Sequence, residues 1–384
     1  MTGLSFPSSI TFSAEHQIFR DQARRFFAEE CAPQQEAWSE AGIAPRAIWR
    51  RAGELGFLCA RAPSELGGAD ADMLYSVILL EEQARAGVIS PVLSLHNDVV
   101  SPYLLHYANA AQKAHFLPRM AAGECIGAIG MSEPAAGSDL QGITTTARRD
   151  GDDYIIRGQK TFITNGHCAD LIVLAVKTDA SAGGRGISLF LFETANAKGF
   201  TRGRMLDKLG QKASDTAELF FDDVRVPATS LLGGEGRGFP QLMDRLVEER
   251  LMTAVGAIGF IDRAIELTTA YVRERKAFGK AVLDFQNTRF RLAEAKSEAA
   301  VLRVFLERCI RDFMEGRLDP QTAAALKWWA TEQQCAIVDD CVQLHGGYGY
   351  ILDYPIARMW LDSRITKIYG GSNEIMKEII GRSL

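Results

Sequence analysis

The sequence of 384 residues has no long hydrophobic run and no block of basic residues. Its longest apolar runs, such as Leu171–Val176, are far too short to cross a lipid bilayer. The formal net charge is −5, and lysine and arginine are not gathered into a patch of the kind that holds nucleic acid or an anionic membrane surface. We therefore expect no membrane span and no nucleic-acid partner.

The sequence also lacks paired cysteines. No Cys-x-x-Cys pair is present, and no histidine stands at metal-binding spacing from the seven scattered cysteines, which are Cys31, Cys59, Cys125, Cys168, Cys309, Cys335 and Cys341. This pattern predicts reduced thiols and no metal site. Met1–Arg20 has one arginine, at its end, and resembles neither a signal peptide nor a transit peptide, so we expect a cytoplasmic protein.

The periodicity of apolar residues divides the chain into three parts, as its length leads one to expect. Up to about Cys125 the spacing of three to four residues predicts helices, among them Met73–Ala86 and Val99–Tyr107. Short segments rich in β-branched and aromatic residues follow and predict strands: Asp153–Gly158, Leu171–Val176, Ile187–Glu193 and Glu218–Val226. After the glycine-rich segment 233–238 the helical period returns, with long helices predicted around 239–275, 286–315 and 321–344.

The predicted fold class is therefore α+β and mostly α. A helical domain over residues 1–125 precedes a small barrel-like or sandwich-like β domain over 126–236. A four-helix bundle over 237–384 ends the chain.

Three segments carry most of the functional information: GAIGMSEPAAGSDL at 127–140, GQKTFITNG at 158–166 and IYGGSNEI at 368–375. Glycine lets backbone approach a flat ligand closely, and the hydroxyl groups of the first segment can donate hydrogen bonds. Alone, that segment is also typical of an ordinary strand and turn. The three segments together, in this order, resemble the acyl-CoA dehydrogenase family over nearly the whole chain, and the long-chain-type branch in particular.

The resemblance implies FAD-dependent oxidation of a saturated acyl-CoA to a trans-2-enoyl-CoA, with electrons passed to an electron-transfer flavoprotein. It also implies a homo-oligomer, with a dimer of dimers as the expected form. Two alternatives share the fold, namely an acyl-CoA oxidase and an acyl-carrier-protein dehydrogenase. A further alternative, from another class, is a catalytically idle relative that binds acyl-CoA.

The residues implied at the FAD lie in three groups. Around the flavin ring the resemblance places Ile129, Met131, Ser132, Ser138, Phe162, Ile163 and Thr164. A second group, reaching the cofactor of a neighbouring subunit, contains Arg275, Phe278, Gln286, Gln343, Leu344, Gly346 and Gly347. The third group, Ser372, Asn373 and Glu374, returns to the flavin. The planar guanidinium group of Arg275 can donate two parallel hydrogen bonds to a pyrophosphate. Ala135 and Phe162 depart from the usual glycine and tryptophan, which predicts altered packing and unaltered chemistry.

The base that removes the α-proton is the decisive prediction. Many relatives carry a glutamate where this chain has Gly370. The long-chain and isovaleryl branches use a glutamate directly before an arginine on an earlier helix, and Glu249, before Arg250, matches that position. On a helical wheel Glu249 flanks the apolar face, whereas Glu248 is predicted to point to the polar side. Glu374 is a rival base by its proximity in sequence.

The resemblance also implies the contacts of the acyl thioester. The backbone N–H of Gly370 is retained and can still polarise the thioester carbonyl. Arg250, on the apolar face of its helix, is assigned to site support because a buried arginine needs partners. The residues expected to border the substrate are Ser138, Leu246, Val247, Arg250, Gly370 and Gly371.

Overall fold

The computed structural model describes residues 8–384, so the first seven residues of the Met1–Arg20 segment lie outside the described residues. The N-terminal part is helical. Ser13 caps the first helix, because its side chain accepts a hydrogen bond from the backbone N–H of His16. The helices are α1 (Ala14–Arg25), α2 (Gln35–Ala41), α3 (Arg46–Glu54), α4 (Met73–Ala86), α5 (Ser101–Tyr107) and α6 (Ala110–Ala121).

Eight strands form the central β part. They are β1 (Gly127–Gly130), β2 (Thr146–Asp150), β3 (Asp153–Thr164), β4 (Leu171–Lys177), β5 (Ile187–Glu193), β6 (Phe200–Met205), β7 (Thr216–Pro227) and β8 (Leu231–Leu232). The strand order is β6-β7-β3-β2-β4-β5-β8, and β1 pairs with β4 in parallel. A single residue pair, Thr146 with Lys177, joins β2 to β4.

Strand β4 explains how the β part is attached to the helices. Leu171 and Val173 pack with α5 and α6 in one core, whereas Ile172 and Leu174 pack with β3, β5 and β7 in another. Successive side chains of a strand point to opposite faces, so a strand buried on both faces is apolar throughout. The continuous apolar run 171–176 is therefore a strand between two hydrophobic cores.

The C-terminal part contains three long helices. They are α7 (Gly238–Glu274), α8 (Gln286–Met314) and α9 (Pro320–His345), with a small hairpin of β9 (Lys276–Ala277) and β10 (Lys280–Ala281) after α7. The shorter α10 (Pro355–Ser363) and α11 (Asn373–Gly381) pack on α9. Helix α7 also packs against α4 of the N-terminal part. The predicted α+β, mostly helical class is confirmed. Within residues 8–384 no helix has the length and apolarity that a membrane crossing requires.

Candidate active site

The carboxyl group of Glu249 lies in the interior, on α7. The residue is only 8% exposed, and the hydroxyl of Tyr103, from α5, donates a hydrogen bond to Glu249 Oε1 at 3.4 Å. Loss of water raises the pKa of Glu249 to about 7, although the neighbouring Arg250 opposes the rise. A carboxyl group with a pKa near neutrality is suited to accept a proton at physiological pH.

The turn at Gly370 and Gly371 packs against the same stretch of α7. A Cβ atom placed on Gly370 would lie 3.7 Å from Thr253 Oγ1, and one placed on Gly371 would lie 3.9 Å from the guanidinium of Arg250. Thr253 is one helical turn after Glu249, and its hydroxyl donates to the Glu249 carbonyl at 2.9 Å. The Gly370–Gly371 turn, which has no carboxylate of its own, therefore faces the part of α7 that carries Glu249.

Arg250 is buried beside this turn. Burial lowers the pKa of its guanidinium, and the adjacent Glu249 opposes that effect. Among residues 8–384, Arg250 Nε has no hydrogen-bond partner. A buried donor without a partner is costly, which is typical of a functional site rather than of a structural one.

Glu248, which the helical wheel directs to the polar side of α7, is buried and not exposed to solvent. It pairs with Arg61 from the N-terminal part and with Arg245 at 3.5 Å. The wheel could not show this burial, because the partner Arg61 lies far away in the sequence. Glu248 therefore holds two parts of the chain together, with its charge neutralised.

The residues implied around the flavin line one edge of the β part. Ile129, Met131, Ser132 and Thr164 are all half-buried there, and Ser138 is exposed in the loop that follows. Phe162 is 70% exposed and has a φ of +58° at an irregularity in the pairing of β3 with β7. A large aromatic ring held outside the core in a strained backbone conformation is suited to stack on a ligand.

Ile163 requires a correction. Its side chain is buried in the core between the strands, so it cannot contact a flavin at this edge. Ile163 resumes the pairing of β3 with β7, opposite Ala217, directly after the irregularity at Phe162.

A buried ion pair fixes the loop after β1. Lys160 Nζ donates to Glu133 Oε1 at 2.7 Å and to the Met131 carbonyl at 3.1 Å, and both ionic side chains are buried. Burial opposes ionisation of Glu133, but Lys160 outweighs it and lowers the pKa of Glu133 to about 2. The backbone N–H of Thr161 also donates to the Ser132 carbonyl at 3.0 Å. Sequence reasoning missed this pair, although a lysine within a strand was a signal.

Five of the seven residues of the second group line a surface cavity of about 440 Å³: Arg275, Gln343, Leu344, Gly346 and Gly347. Tyr271, Arg275 and the segment 343–348 line the cavity, and the Arg275 guanidinium lies 5.6 Å from the centre of the Tyr348 ring. Gly346 and Gly347 leave open space where side chains would project. Phe278 and Gln286 are exposed outside this cavity, on the small hairpin and at the start of α8.

The third group is divided by the structure. Ser372 caps α11, and Glu374 is exposed, with its pKa lowered by hydrogen bonds to its own backbone N–H and to Ser372. A lowered pKa makes Glu374 a poorer base than Glu249. Asn373 requires a correction, because its side chain is buried and bonded to Lys327, Thr331 and Glu332. These contacts hold the side chain in the interior, away from a flavin.

Three family models match this chain, one for each part of the fold. The N-terminal domain of acyl-CoA dehydrogenase matches residues 13–124, the middle domain matches 128–224 and the C-terminal domain matches 236–384. These matches define a flavoprotein oxidoreductase that acts on CH–CH bonds in fatty acid metabolism. The chain belongs to the acyl-CoA dehydrogenase family.

Individual relatives agree with the family models. The chain is 47% identical to the long-chain specific acyl-CoA dehydrogenase of Sus scrofa mitochondria over 97% of this chain and 87% of that protein. A crystal structure of an acyl-CoA dehydrogenase from Geobacillus kaustophilus has a TM-score of 0.96 at 47% identity, covering 98% of this chain and 99% of that one. A glutaryl-CoA dehydrogenase from Mycobacterium smegmatis, solved in complex with FADH2, has a TM-score of 0.89 at 30% identity, over 97% and 95% of the two chains.

Proposed function

We propose that this protein converts a saturated acyl-CoA to a trans-2-enoyl-CoA and that Glu249 removes the α-proton. The observation that supports this proposal is the buried carboxyl group of Glu249 on the stretch of α7 that faces the Gly370–Gly371 turn. Its pKa of about 7 leaves a substantial fraction ionised at neutral pH. Substrate binding removes further water and brings the carboxylate and the α-proton together.

The developing negative charge on the thioester needs a donor. The backbone N–H of Gly370 supplies one in this proposal, since the glycine keeps the N–H while leaving the side-chain space empty. Arg250, buried next to Glu249 and close to Gly371, adds a positive charge at the same place. FAD, when bound, supplies the acceptor for the β-hydride.

The chain's own groups fit an FAD. The exposed Phe162 and the half-buried Ser132 and Thr164 offer a stacking surface and hydroxyl donors for the flavin ring. Arg275 and the open backbone at Gly346 and Gly347 offer a cationic cradle for a pyrophosphate.

We also propose that the cofactor cradle serves a second copy of the chain, in a dimer of dimers. The exposed apolar side chains of Phe278 and Tyr350, which are 96% and 88% exposed, support an interface beside the cradle. Each flavin site would then be completed by a neighbouring subunit, which makes oligomerisation a condition for cofactor binding.

For electron transfer we propose an electron-transfer flavoprotein as the acceptor, and a cytoplasmic location. The seven cysteines, all unpaired, support a reducing compartment. An acyl-CoA oxidase would instead form hydrogen peroxide in air, and an acyl-carrier-protein dehydrogenase would prefer the carrier-linked thioester.

The proposal is tested by anaerobic titration of the FAD-bound protein with saturated acyl-CoAs of graded length and branching, following flavin absorbance. We expect rapid bleaching by one subset of these substrates, which also identifies the acyl class. An absence of bleaching with every acyl-CoA, while FAD remains bound, would contradict the proposal and favour the idle relative.

A further inference from the structure

Lys327 is a buried cation that is not among the groups acting in the proposed mechanism. It lies on α9 with 0% exposure, and its Nζ donates to the Gly371 carbonyl at 2.8 Å and to Asn373 Oδ1 at 3.1 Å. Within residues 8–384 no carboxylate oxygen lies within 4 Å of this Nζ. Both partners of Lys327 are therefore neutral oxygens.

Burying a lysine between neutral oxygens reduces the free energy of unfolding. Burial and the charge of Arg250 together lower the pKa of Lys327 to about 8, and the exposed Glu374 opposes these effects. Glu332, the other nearby carboxylate, is bonded to Asn373 and to Lys367. A methionine would fill this space without the cost of desolvating a charge. The lysine is thus a candidate for a functional role rather than for stabilisation alone.

Lys327 binds the Gly371 carbonyl and the Asn373 side chain. Both follow closely after Gly370, whose backbone N–H is the proposed donor to the thioester oxygen. Gly370 and Gly371 have φ values of +64° and +90°, a left-handed pair that glycine adopts freely and also leaves freely. The Ser372 cap of α11 is a weak restraint, with 3.5 Å between Ser372 Oγ and the Ile375 nitrogen. The bond from Lys327 to the Gly371 carbonyl is the shortest side-chain restraint on this turn.

We propose that Lys327 is a positioning residue for the oxidation, which holds the Gly370–Gly371 turn with the Gly370 N–H directed at the thioester oxygen. Its charge, together with that of Arg250, also favours the enolate that forms when the α-proton leaves. This inference rests on the proposed function, in which Glu249 takes the proton and the Gly370 N–H binds the thioester. Lys327 itself touches neither the substrate nor the reacting atoms.

The test uses a ligand that reports proton removal without hydride transfer. In a 3-thiaacyl-CoA, sulfur replaces the β-carbon, so Cα can lose its proton but no β-hydrogen is present to leave. The deprotonated ligand beside oxidised flavin gives a long-wavelength absorbance band, whose pH dependence measures the acidity of the bound ligand. The FAD-bound enzyme is titrated in this way, and kcat and KM are measured with the best substrate.

Three variants are compared with the wild-type enzyme. Lys327→Met removes both the charge and the donors, and Lys327→Gln removes the charge while keeping one N–H donor for the Gly371 carbonyl. Thr331→Val is the matched control, because it removes another hydrogen bond to Asn373 Oδ1, of 3.1 Å, without touching Gly371 or the charge. FAD content and thermal unfolding are recorded for each variant.

We expect Lys327→Met to raise the pH at which half of the bound ligand is deprotonated by about one unit. The bound ligand is then about a tenfold weaker acid. The value of kcat should fall by about tenfold with little change in KM, because the interaction acts on the transition state. Lys327→Gln should show a smaller shift and Thr331→Val none. Should Lys327→Met fail to fold, Lys327→Gln carries the comparison.

Each contrary result has a distinct meaning. Unchanged ligand acidity in both Lys327 variants would overturn the positioning role and leave the proposed function intact. An equal shift in Thr331→Val would also overturn it, since the effect would then come from packing around Asn373. Failure of the wild-type enzyme to deprotonate the ligand would reject the proposed function, and this inference with it.

Discussion

At the scale of single residues, the carboxyl group of Glu249 sets the pH dependence that we expect of the enzyme. Its pKa of about 7 means that the basic form is lost as the pH falls below neutrality. We therefore predict that kcat/KM falls about tenfold for each pH unit below about 6.5 and is constant above about 8. Steady-state kinetics from pH 5.5 to 9 measure this directly, and a profile that is flat across pH 7 would contradict the assignment.

The same carboxyl group predicts a stability effect that is independent of catalysis. The pKa of Glu249 rises from about 4.5 in the unfolded chain to about 7 in the folded one, so the native state binds the extra proton. Its contribution is present below pH 4.5 and is lost as the pH rises through 7. Glu249→Gln should therefore gain up to about 3 kcal/mol over the wild type between pH 4.5 and 8. Denaturant unfolding at several pH values measures the difference, and a difference that does not grow with pH refutes the burial argument.

Individual residues also show where reasoning from sequence reaches its limit. The period of α7 was sufficient to place Glu249 at the border of the apolar face, and the structure buries it there. The same period could not show that Glu248 is buried, because its partner Arg61 lies 187 positions away in sequence. Asn373 was misjudged for a similar reason, since Lys327 and Thr331 on α9 take up its amide. Local periodicity reports on faces of one helix and carries no information about which distant side chain covers them.

At the scale of elements, the ion pair of Lys160 with Glu133 joins β3 to the loop after β1. Lys160→Met leaves Glu133 buried without its counter-charge, so we predict a loss of about 3–5 kcal/mol in the free energy of unfolding. The loop carrying Met131 and Ser132 should also loosen, which weakens FAD retention. Chemical denaturation and the FAD content of the purified variant measure the two effects.

A double variant supplies the control for this prediction. Lys160→Met combined with Glu133→Gln removes both charges, and most of the lost stability should return because no uncompensated charge remains. A double variant that is no more stable than Lys160→Met would mean that packing, and not charge, fixes the loop.

The elements themselves were largely predictable. The period of three to four residues placed the three long helices within one or two residues of Gly238–Glu274, Gln286–Met314 and Pro320–His345. The strand reading of the start of segment 127–140 agrees with β1, whereas β2, β6 and β8 escaped prediction as separate strands. Arg202 and Arg204 give β6 little hydrophobic alternation, and β8 has two residues, so neither carries a periodic signal.

At the scale of the whole molecule, the proposed oligomer couples assembly to cofactor binding. Phe278, 96% exposed on the hairpin beside the cofactor cradle, should be buried between subunits. Phe278→Asp is predicted to reduce the molecular mass in solution and to release FAD on dilution, because each site would lose the partner's residues. Ile18→Asp, at another exposed apolar residue, is the control and should alter neither property. Analytical ultracentrifugation with flavin absorbance measures both, and a Phe278→Asp protein of unchanged mass and FAD content would contradict the shared site.

The central claim is that Glu249 is the base, and its most direct test is a single-turnover measurement. Wild-type enzyme and Glu249→Gln, both FAD-bound, are mixed anaerobically with the best acyl-CoA, and the rate of flavin bleaching is followed. Glutamine preserves the shape of the side chain and removes its basicity, so we predict bound FAD and bleaching that is slower by about 10²–10⁴-fold. The matched variant Glu248→Gln, at the neighbouring carboxylate, should be less stable but retain rapid bleaching. Bleaching of Glu249→Gln at the wild-type rate would show that another group takes the α-proton.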